Sequence, residues 1–307
     1  DHDAKGAATV TAAAGGLRAT ASFAIPEALT SITIKHEGKN TALSSLRVAG
    51  GSTTELTATG WYYGNKVYSA DTSFTWSVSD ALGTIDEDGT FTAVQTGRDV
   101  TGTLTVTYGE TSCTLPVTVG SSQPFDDTKG HWAESYITEL YYAGTLQGSE
   151  KNGKLYYRPD ASMTRQEFIV AMMRYLGTDL SAYASVQLPF DDSGSIASWA
   201  KSAMQAAYQL GYLTGSKTNG KLLAKPGSTI SRQEAMTILS RTKDFADADL
   251  NVLSAFSDSG KIADWARTAL AQMTQQKIIS GSKGKLNPTG KVTRAEVAKM
   301  LYMLSES

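Results

Sequence analysis

A four-residue motif that occurs three times constrains this chain more than any other feature. The copies span Thr164–Glu167, Ser231–Glu234 and Thr293–Glu296, and read Thr-Arg-Gln-Glu, Ser-Arg-Gln-Glu and Thr-Arg-Ala-Glu. The arginine of each copy follows a tryptophan by 33, 33 and 29 residues, and the three tryptophans are Trp132, Trp199 and Trp265. A pair of motifs repeated at a nearly fixed distance predicts one supersecondary unit used three times.

The first and last residues of the motif have a structural explanation. Ser/Thr-x-x-Glu followed by apolar residues at helical spacing is the pattern of a capping box. In the first copy, the hydroxyl of Thr164 would accept from the backbone N–H of Glu167, whose carboxylate would accept from the N–H of Thr164. The predicted capping residues are Thr164, Glu167, Ser231, Glu234, Thr293 and Glu296. The sequence therefore predicts that a helix begins at each tetrapeptide.

The arginine inside each tetrapeptide has no such explanation. Arg165, Arg232 and Arg294 fall in the first turn of a predicted helix, where the dipole disfavours a cation by about 0.3–1 kcal/mol. Two explanations remain open from the residues alone. The arginine can help a helix N-terminus to hold an anion, or it can pair with a carboxylate of a neighbouring repeat.

The rest of each repeat is also patterned. A Phe-x-Asp motif precedes each tryptophan, and its aspartate is placed to cap the next helix. A Gly-Ser pair follows that helix, and then come Gly-Lys-Leu and a proline, which predict a loop or short strand. The prolines are Pro159, Pro226 and Pro288. Each unit is therefore predicted to be a helix, a glycine loop and a capped helix.

These four motifs, in this order, resemble the S-layer homology (SLH) domain family from about Pro124 to the C-terminus. The resemblance implies an all-α pseudo-threefold bundle of three helix-loop-helix repeats, at residues 124–180, 188–245 and 254–307. It also implies binding of secondary cell-wall polysaccharide attached to peptidoglycan, often through a pyruvylated sugar, in grooves between the repeats.

The resemblance implies a role for each repeated residue. The arginines bind the anion, the loop glycines let the sugar approach closely, and the tryptophans and aspartates shape the groove. The implied polysaccharide-binding residues are Arg165, Arg232, Arg294, Trp132, Trp199, Trp265, Asp127, Asp192, Asp258, Gly148, Gly215 and Gly281. No catalytic residue, metal site or cofactor is expected.

This chain departs from the family pattern at a few positions. Gln166 and Gln233 replace the alanine of the motif, and Ser231 replaces its threonine. In the third repeat, Lys277 replaces a loop glycine and the loop is four residues shorter. These departures bear on which groove is used.

The N-terminal part has a different composition, rich in Thr, Val, Gly and Ser. Alternating apolar and polar runs are separated by turn signals such as Asp88-Gly89, which predicts an all-β sandwich at residues 28–120. The segment from Phe74 to Ala93 resembles bacterial Ig-like domains, which implies a spacer. Residues 1–27 are predicted to be a linker or the remnant of an upstream domain. The chain itself is predicted to be a mature or excised fragment.

Charge and cysteine content narrow the function further. The net charge of −2 gives no indication of nucleic-acid binding. Residues 1–121 carry 7 basic and 12 acidic side chains and the remainder 21 and 18, so the C-terminal part mildly suits an anionic polymer. Cys113 is the single cysteine, so no disulfide forms within the chain. No apolar run of about 18 residues predicts a membrane span.

Together these observations favour a noncatalytic anchor on the outer surface of a bacterial cell wall. Two alternatives remain. One is the C-terminal part of an extracellular polysaccharide-acting enzyme whose catalytic domain lies upstream. The other is a structural protein of a surface lattice. The oligomeric state does not follow from the sequence.

Overall fold

The computed structural model describes residues 6–14, 17–25, 29–62, 65–66 and 74–305. The chain forms two compact units, Asp1–Ser122 and Gln123–Ser307. Each unit has its own hydrophobic core. Parts of the predicted linker at residues 1–27, of the predicted sandwich at 28–120 and of the third repeat at 254–307 lie outside the described residues.

The first unit begins with a long β-hairpin. Strands β1 (Gly6–Ala14) and β2 (Leu17–Ile25) pair antiparallel, with Gly6 opposite Ile25 and Ala14 opposite Leu17. These residues lie within the segment for which the sequence predicts a linker or the remnant of an upstream domain.

Two further sheets form a sandwich. The first has the order β4 (Leu46–Ala49), β11 (Thr111–Gly120), β10 (Val100–Tyr108) and β7 (Thr75–Val78), with β4 parallel to β11. The second has the order β3 (Ser31–His36), β5 (Thr53–Tyr62), β9 (Thr90–Ala93) and β8 (Gly83–Ile85), and β6 (Asn65–Lys66) pairs with β5. A 3₁₀ turn at Asp80–Leu82 precedes β8.

The alternation of apolar residues sets the inner faces of these sheets. Along β3, Ile32 and Ile34 are buried while their neighbours are more exposed, as expected for a strand that covers a core on one face. Leu104 of β10 lies opposite Leu115 of β11, and both are buried. Residues of both sheets, including Phe91, belong to one apolar cluster.

Six helices lie among the described residues of the second unit. They are α1 (Glu134–Tyr142), α2 (Arg165–Tyr175), α3 (Lys201–Gln209), α4 (Arg232–Ser240), α5 (Asp264–Gln275) and α6 (Arg294–Ser305). Short 3₁₀ turns lie at Leu180–Tyr183, Ser193–Ser195, Ser198–Ala200, Leu250–Ala255 and Ser259–Lys261.

The prediction that this unit is an all-α bundle is wrong. In the first and second repeats a β-hairpin joins the two helices. The first hairpin has strands β12 (Ser149–Lys151) and β13 (Lys154–Tyr156), and the second has strands β14 (Ser216–Thr218) and β15 (Lys221–Leu223). The reason lies in the turn residues, because Asn-Gly adopts positive φ at both positions as a tight hairpin requires. The turns are Asn152-Gly153 and Asn219-Gly220.

The third repeat keeps only the end of this hairpin. Its single bridge joins Ser282 and Lys285, and the turn residues Lys283 and Gly284 lie directly between them. The four residues missing from this repeat therefore remove the paired strands and not the turn.

The three repeats close into a ring. The N–H of Met163 donates to the carbonyl of Val292 at 3.1 Å, that of Val292 to Ile230 at 3.2 Å, and that of Ile230 to Met163 at 3.0 Å. Each of the three residues lies one position before the first residue of a tetrapeptide. Each capped helix also packs on the first helix of the next repeat, because α2 contacts α3, α4 contacts α5 and α6 contacts α1. One apolar core extends through all three repeats.

Candidate functional site

All three tetrapeptides have capping hydrogen bonds. The carboxylate of Glu167 accepts from the backbone N–H of Thr164 at 2.7 Å, and the hydroxyl of Thr164 accepts from the N–H of Glu167 at 3.4 Å. The equivalent carboxylates accept from the N–H groups of Ser231 at 2.8 Å and Thr293 at 2.9 Å. This fixes where each capped helix begins, and with it the position of the arginine.

Two of the three arginines pair with the next repeat. Arg165 donates through Nη2 to Oε1 of Glu234, and Arg232 donates through Nη1 to Oε1 of Glu296 at 3.0 Å. The arginine side chains are only 12% and 15% exposed. The carboxylates are those of the neighbouring capping boxes. The ion-pair explanation, one of the two left open by the sequence, therefore holds at these two positions.

The environment of Glu234 favours its charged form. Burial opposes ionisation, but the hydrogen bonds from Ser231 and the contact with Arg165 outweigh it, so the pKa of Glu234 lies below its usual value. Burial lowers the pKa of Arg232, and the charge of Glu296 opposes that change. Both pairs thus join two repeats by a charged contact in which the arginine is largely buried and the glutamate is partly exposed.

Arg294 differs from its two counterparts. Its Nε donates to the carbonyl of Tyr157 at 2.7 Å, its Nη2 donates to the carbonyl of Gln147 at 2.8 Å, and its guanidinium carbon lies 4.4 Å from the Tyr157 ring centroid. Within the described residues Arg294 forms no ion pair. Tyr157 occupies a position that Ala224 and Leu286 fill in the other repeats, and its ring provides the surface against which this guanidinium packs.

Two grooves bring the predicted site residues together. Groove A, with a cavity volume of about 310 Å³, is lined by Arg165 of the first repeat, the Gly215 loop of the second and Trp265 of the third. Groove B, of about 680 Å³, is lined by Arg232 of the second repeat, the Gly281 loop of the third and Trp132 of the first. Each groove therefore requires all three repeats.

The third arginine, glycine loop and tryptophan, which are Arg294, the Gly148 loop and Trp199, do not all come together as the other two sets do. Arg294 reaches the first-repeat loop through Gln147, the residue before Gly148, which matches the relation between the arginine and the loop in the other two grooves. Trp199 does not line groove A or groove B.

The three tryptophans are exposed to an unusual degree for so large an apolar side chain. Trp132, Trp199 and Trp265 are 55%, 57% and 58% exposed. Each lies at or near the start of the first helix of its repeat, where the rest of the helix is packed into the core. An indole ring has a broad apolar face and one N–H donor, so it suits contact with a surface that is partly apolar and partly polar.

The loop glycines of the grooves are fixed by internal packing. Gly215 and Gly281 have φ of +71° and +69°. A Cβ atom on them would lie 2.6 Å from Cε1 of Phe190 and 2.7 Å from Cε1 of Phe256. A Cβ on Gly148 would overlap the ring of Phe125 in the same way. The phenylalanine of each Phe-x-Asp motif therefore lies beneath the loop and requires glycine there.

The aspartates of the same motifs have a role that the sequence did not predict. Asp127 accepts from the backbone N–H groups of Tyr157 and Arg158 at 2.8 and 2.7 Å. Asp192 and Asp258 bind the equivalent pairs of N–H groups, at Ala224 and Lys225 and at Leu286 and Asn287. The expectation that the aspartate of each motif caps the next helix is wrong. Ala133, and not Asp127, is the N-cap of α1, and neither Asp192 nor Asp258 makes a capping bond. None of the three lines groove A or B.

Two glutamines that the sequence marked only as departures position the tryptophans. Oε1 of Gln166 accepts from the N–H of Ala197, and Oε1 of Gln233 accepts from the N–H of Ala263, both at 3.0 Å. Each of these two alanine donors lies two residues before a tryptophan, Trp199 or Trp265. Ala295 cannot do this for the first repeat, where Nδ1 of His131 accepts from the N–H of Ala133 at 3.1 Å.

Among the described residues, no helix combines the length and the apolar character that crossing a membrane requires.

Known proteins are similar to parts of this chain. The S-layer homology domain family matches residues 124–169, 189–236 and 255–298. The chain is 28% identical to an amylopullulanase of Thermoanaerobacterium thermosulfurigenes over 207 residues, which is 66% of this chain and 10% of that protein. It is 28% identical to the exoglucanase XynX of Acetivibrio thermocellus over 242 residues, which is 76% of this chain and 21% of that protein.

A third relative is the surface-layer 125 kDa protein of Lysinibacillus sphaericus, with 32% identity over 192 residues, 59% of this chain and 15% of that protein. The chain thus spans only a small part of each of these relatives. The three matched segments coincide with the three repeats that form the ring and the grooves. These matches identify three S-layer homology domains in tandem within the C-terminal unit of the chain.

Proposed function

We propose that this chain anchors a protein to the bacterial cell wall by binding an anionic, pyruvylated secondary cell-wall polysaccharide in grooves A and B. S-layer homology domains bind cell-wall polymers and act at the cell surface, and the C-terminal unit is such a noncatalytic module. The proposal concerns the identity of the polymer, the grooves that hold it and the residues that contact it.

The exposed tryptophans carry this proposal. Three equivalent indoles are left more than half exposed, although each lies at or near the start of a helix that packs into the core. Leaving so much apolar surface in water has a cost unless a ligand covers it. In grooves A and B an indole lies together with an arginine and a narrow glycine loop. The apolar face of a sugar ring can stack on the indole while the arginine contacts an acidic group.

The proposed role of the arginines takes their ion pairs into account. Arg165 and Arg232 have five N–H donors each, and Glu234 and Glu296 occupy only part of that fork. Their Nε atoms are buried without a partner in the described structure. A ligand carboxylate would share the guanidinium with the glutamate, and a further basic residue in the groove would balance the added negative charge. In groove A this basic residue is Arg241.

Binding to purified sacculi tests the proposal. The chain should pellet with sacculi that carry their secondary polymer, and removal of the pyruvyl groups should release it. Trp132→Ala and Trp265→Ala should each weaken binding. Leu250→Ala is the matched control, because Leu250 is 45% exposed and lines neither groove. Binding that survives removal of the pyruvyl groups would refute the assigned ligand.

For the whole protein we propose a polysaccharide-acting enzyme as the part that is anchored, with a surface-lattice protein as the alternative. The reason is that the amylopullulanase and the exoglucanase contain a segment similar to this chain. The surface-layer relative supports the alternative. Glycan-degrading activity in the sacculus-bound fraction of the native protein would support the enzyme, and ordered self-assembly of the pure chain without polymer would support the lattice.

A further inference from the structure

We propose that groove B, and not groove A, is the site for a glycan that carries carboxylates on more than one sugar. This inference rests on the proposed function and assigns the part of the polymer with several carboxylates to groove B. Its basis is the difference in charge between the residues that line the two grooves. Groove B is lined by Arg232, Lys283, Lys285 and Lys299, with Glu296 as its one acidic residue. Groove A is lined by two arginines and one glutamate.

The charge of groove B is not neutralised by the protein. Arg232 is paired with Glu296, so the three lysines make up the excess. Within the described part of the chain, the ammonium groups of Lys283, Lys285 and Lys299 have no hydrogen-bond or ion-pair partner. Like charges placed around one groove repel each other, and an anionic ligand removes that repulsion. In groove A, the second cation, Arg241, already donates to the carbonyl of Tyr212 at 2.8 Å.

The shortened loop of the third repeat brings two of these lysines to the groove. Lys283 and Lys285 lie at the turn and at the single bridge that remain of the hairpin. In the second repeat, Lys217 and Lys221 lie on the paired strands β14 and β15 and do not line groove A. The bridge between Ser282 and Lys285 corresponds to the pair of Ser216 and Leu223, so the shortened loop places Lys285 where groove A has Leu223.

The third lysine replaces a neutral residue on the capped helix. Lys299 follows Arg294 by five residues, and Thr237 follows Arg232 by the same distance. Thr237 lines groove A, but it is buried and its hydroxyl donates to the carbonyl of Gln233 at 2.8 Å. Groove B thus has a cation where groove A has a hydroxyl that is already bonded. Its larger volume leaves room for a second charged sugar beside the one that contacts Arg232.

A pair of matched double variants tests this assignment. Lys283→Ala with Lys285→Ala removes two charges from groove B, and Lys217→Ala with Lys221→Ala removes two charges from the equivalent hairpin away from groove A. The dissociation constant for sacculi carrying the pyruvylated polymer should rise roughly threefold to thirtyfold in the first variant, as for two partly exposed ion pairs. It should stay near the wild-type value in the second.

The salt dependence and the treated sacculi complete the test. The groove B variant should lose affinity less steeply than the wild type as salt is added, because fewer exposed charges are screened. On sacculi without pyruvyl groups the two double variants should bind alike. If the variants bind equally well to untreated sacculi, groove B has no special role, although the anchor function stands. If the wild-type chain does not bind sacculi, the proposed function fails and this inference fails with it.

Discussion

At the residue scale, the carboxylates of Glu234 and Glu296 connect the fold to the grooves. Each closes a capping box within its own repeat and receives the arginine of the preceding repeat. The sequence identified both the glutamates and the arginines, but it could not pair them. The spacing of residues within one repeat does not show which repeats are neighbours in the fold. An ion pair with a neighbouring repeat and an anion site were therefore equally consistent with the sequence around each arginine.

We expect Arg165→Ala to lower the free energy of unfolding by about 1–3 kcal/mol, because Glu234 then loses a partner in a partly buried position. Glu234→Gln should cost less, since glutamine keeps the capping bond to Ser231. A double-mutant cycle on these two residues, followed by urea denaturation, measures the coupling directly. A coupling energy of zero would show that the contact is not an ion pair in solution.

The same pair predicts a dependence on pH. The pKa of Glu234 is lowered from its unfolded value of 4.5, so its contribution to stability is complete above that pH. The contribution is lost as the pH falls through the lower, folded pKa. Between about pH 6 and about pH 3 the wild type should therefore lose more stability than Glu234→Gln. Equal losses, measured by denaturant titration at each pH, would contradict this explanation.

At the scale of elements, much of each repeat follows from sequence and some does not. Apolar residues at helical spacing after a Thr/Ser-x-x-Glu indicated α2, α4 and α6, and alternating runs indicated strands of the sandwich. The sequence predicted a loop or short strand at each Gly-Lys-Leu segment but not a paired hairpin, although Asn152-Gly153 and Asn219-Gly220 carry a strong turn signal. The strands beside those turns have three residues each, too few for an alternating pattern to be recognised.

Removing the hydroxyls of the capping boxes should weaken the helices and not the grooves. Thr164→Ala, Ser231→Ala and Thr293→Ala should each lower the free energy of unfolding by about 0.5–2 kcal/mol. Ser185→Ala, in an exposed loop, is the control and should change it little. Sacculus affinity should stay constant at temperatures where the variants are folded. Thermal melting that is unchanged in all three variants would contradict the capping assignment.

At the scale of the whole molecule, the ring is what the sequence could not supply. Repetition predicted that three units would pack together, because one helix pair cannot bury its apolar face alone. That each groove would combine an arginine, a loop and a tryptophan from three different repeats depends on long-range packing. The hydrogen bonds among Met163, Ile230 and Val292 and the contact between α6 and α1 close the assembly.

A closed ring predicts that two repeats do not suffice. In a chain that ends after residue 245, Met163 loses its acceptor at Val292 and α1 loses α6. We therefore expect the C-terminal unit of the shortened chain to unfold without a cooperative thermal transition. Circular dichroism measures this. The control is the intact chain under the same conditions. A sharp unfolding transition for the two-repeat unit would mean that the repeats are independent.

The central claim is that the exposed indoles in grooves formed by three repeats hold the cell-wall polymer. The most direct test is the affinity of Trp132→Ala/Trp265→Ala for pyruvylated sacculi, measured with its melting temperature and compared with Leu250→Ala. We predict that the double variant melts close to the wild type and binds at least about tenfold more weakly, because stacking on aromatic rings contributes about 0.5–1.5 kcal/mol for each ring beyond area burial. A folded double variant with wild-type affinity would contradict the account.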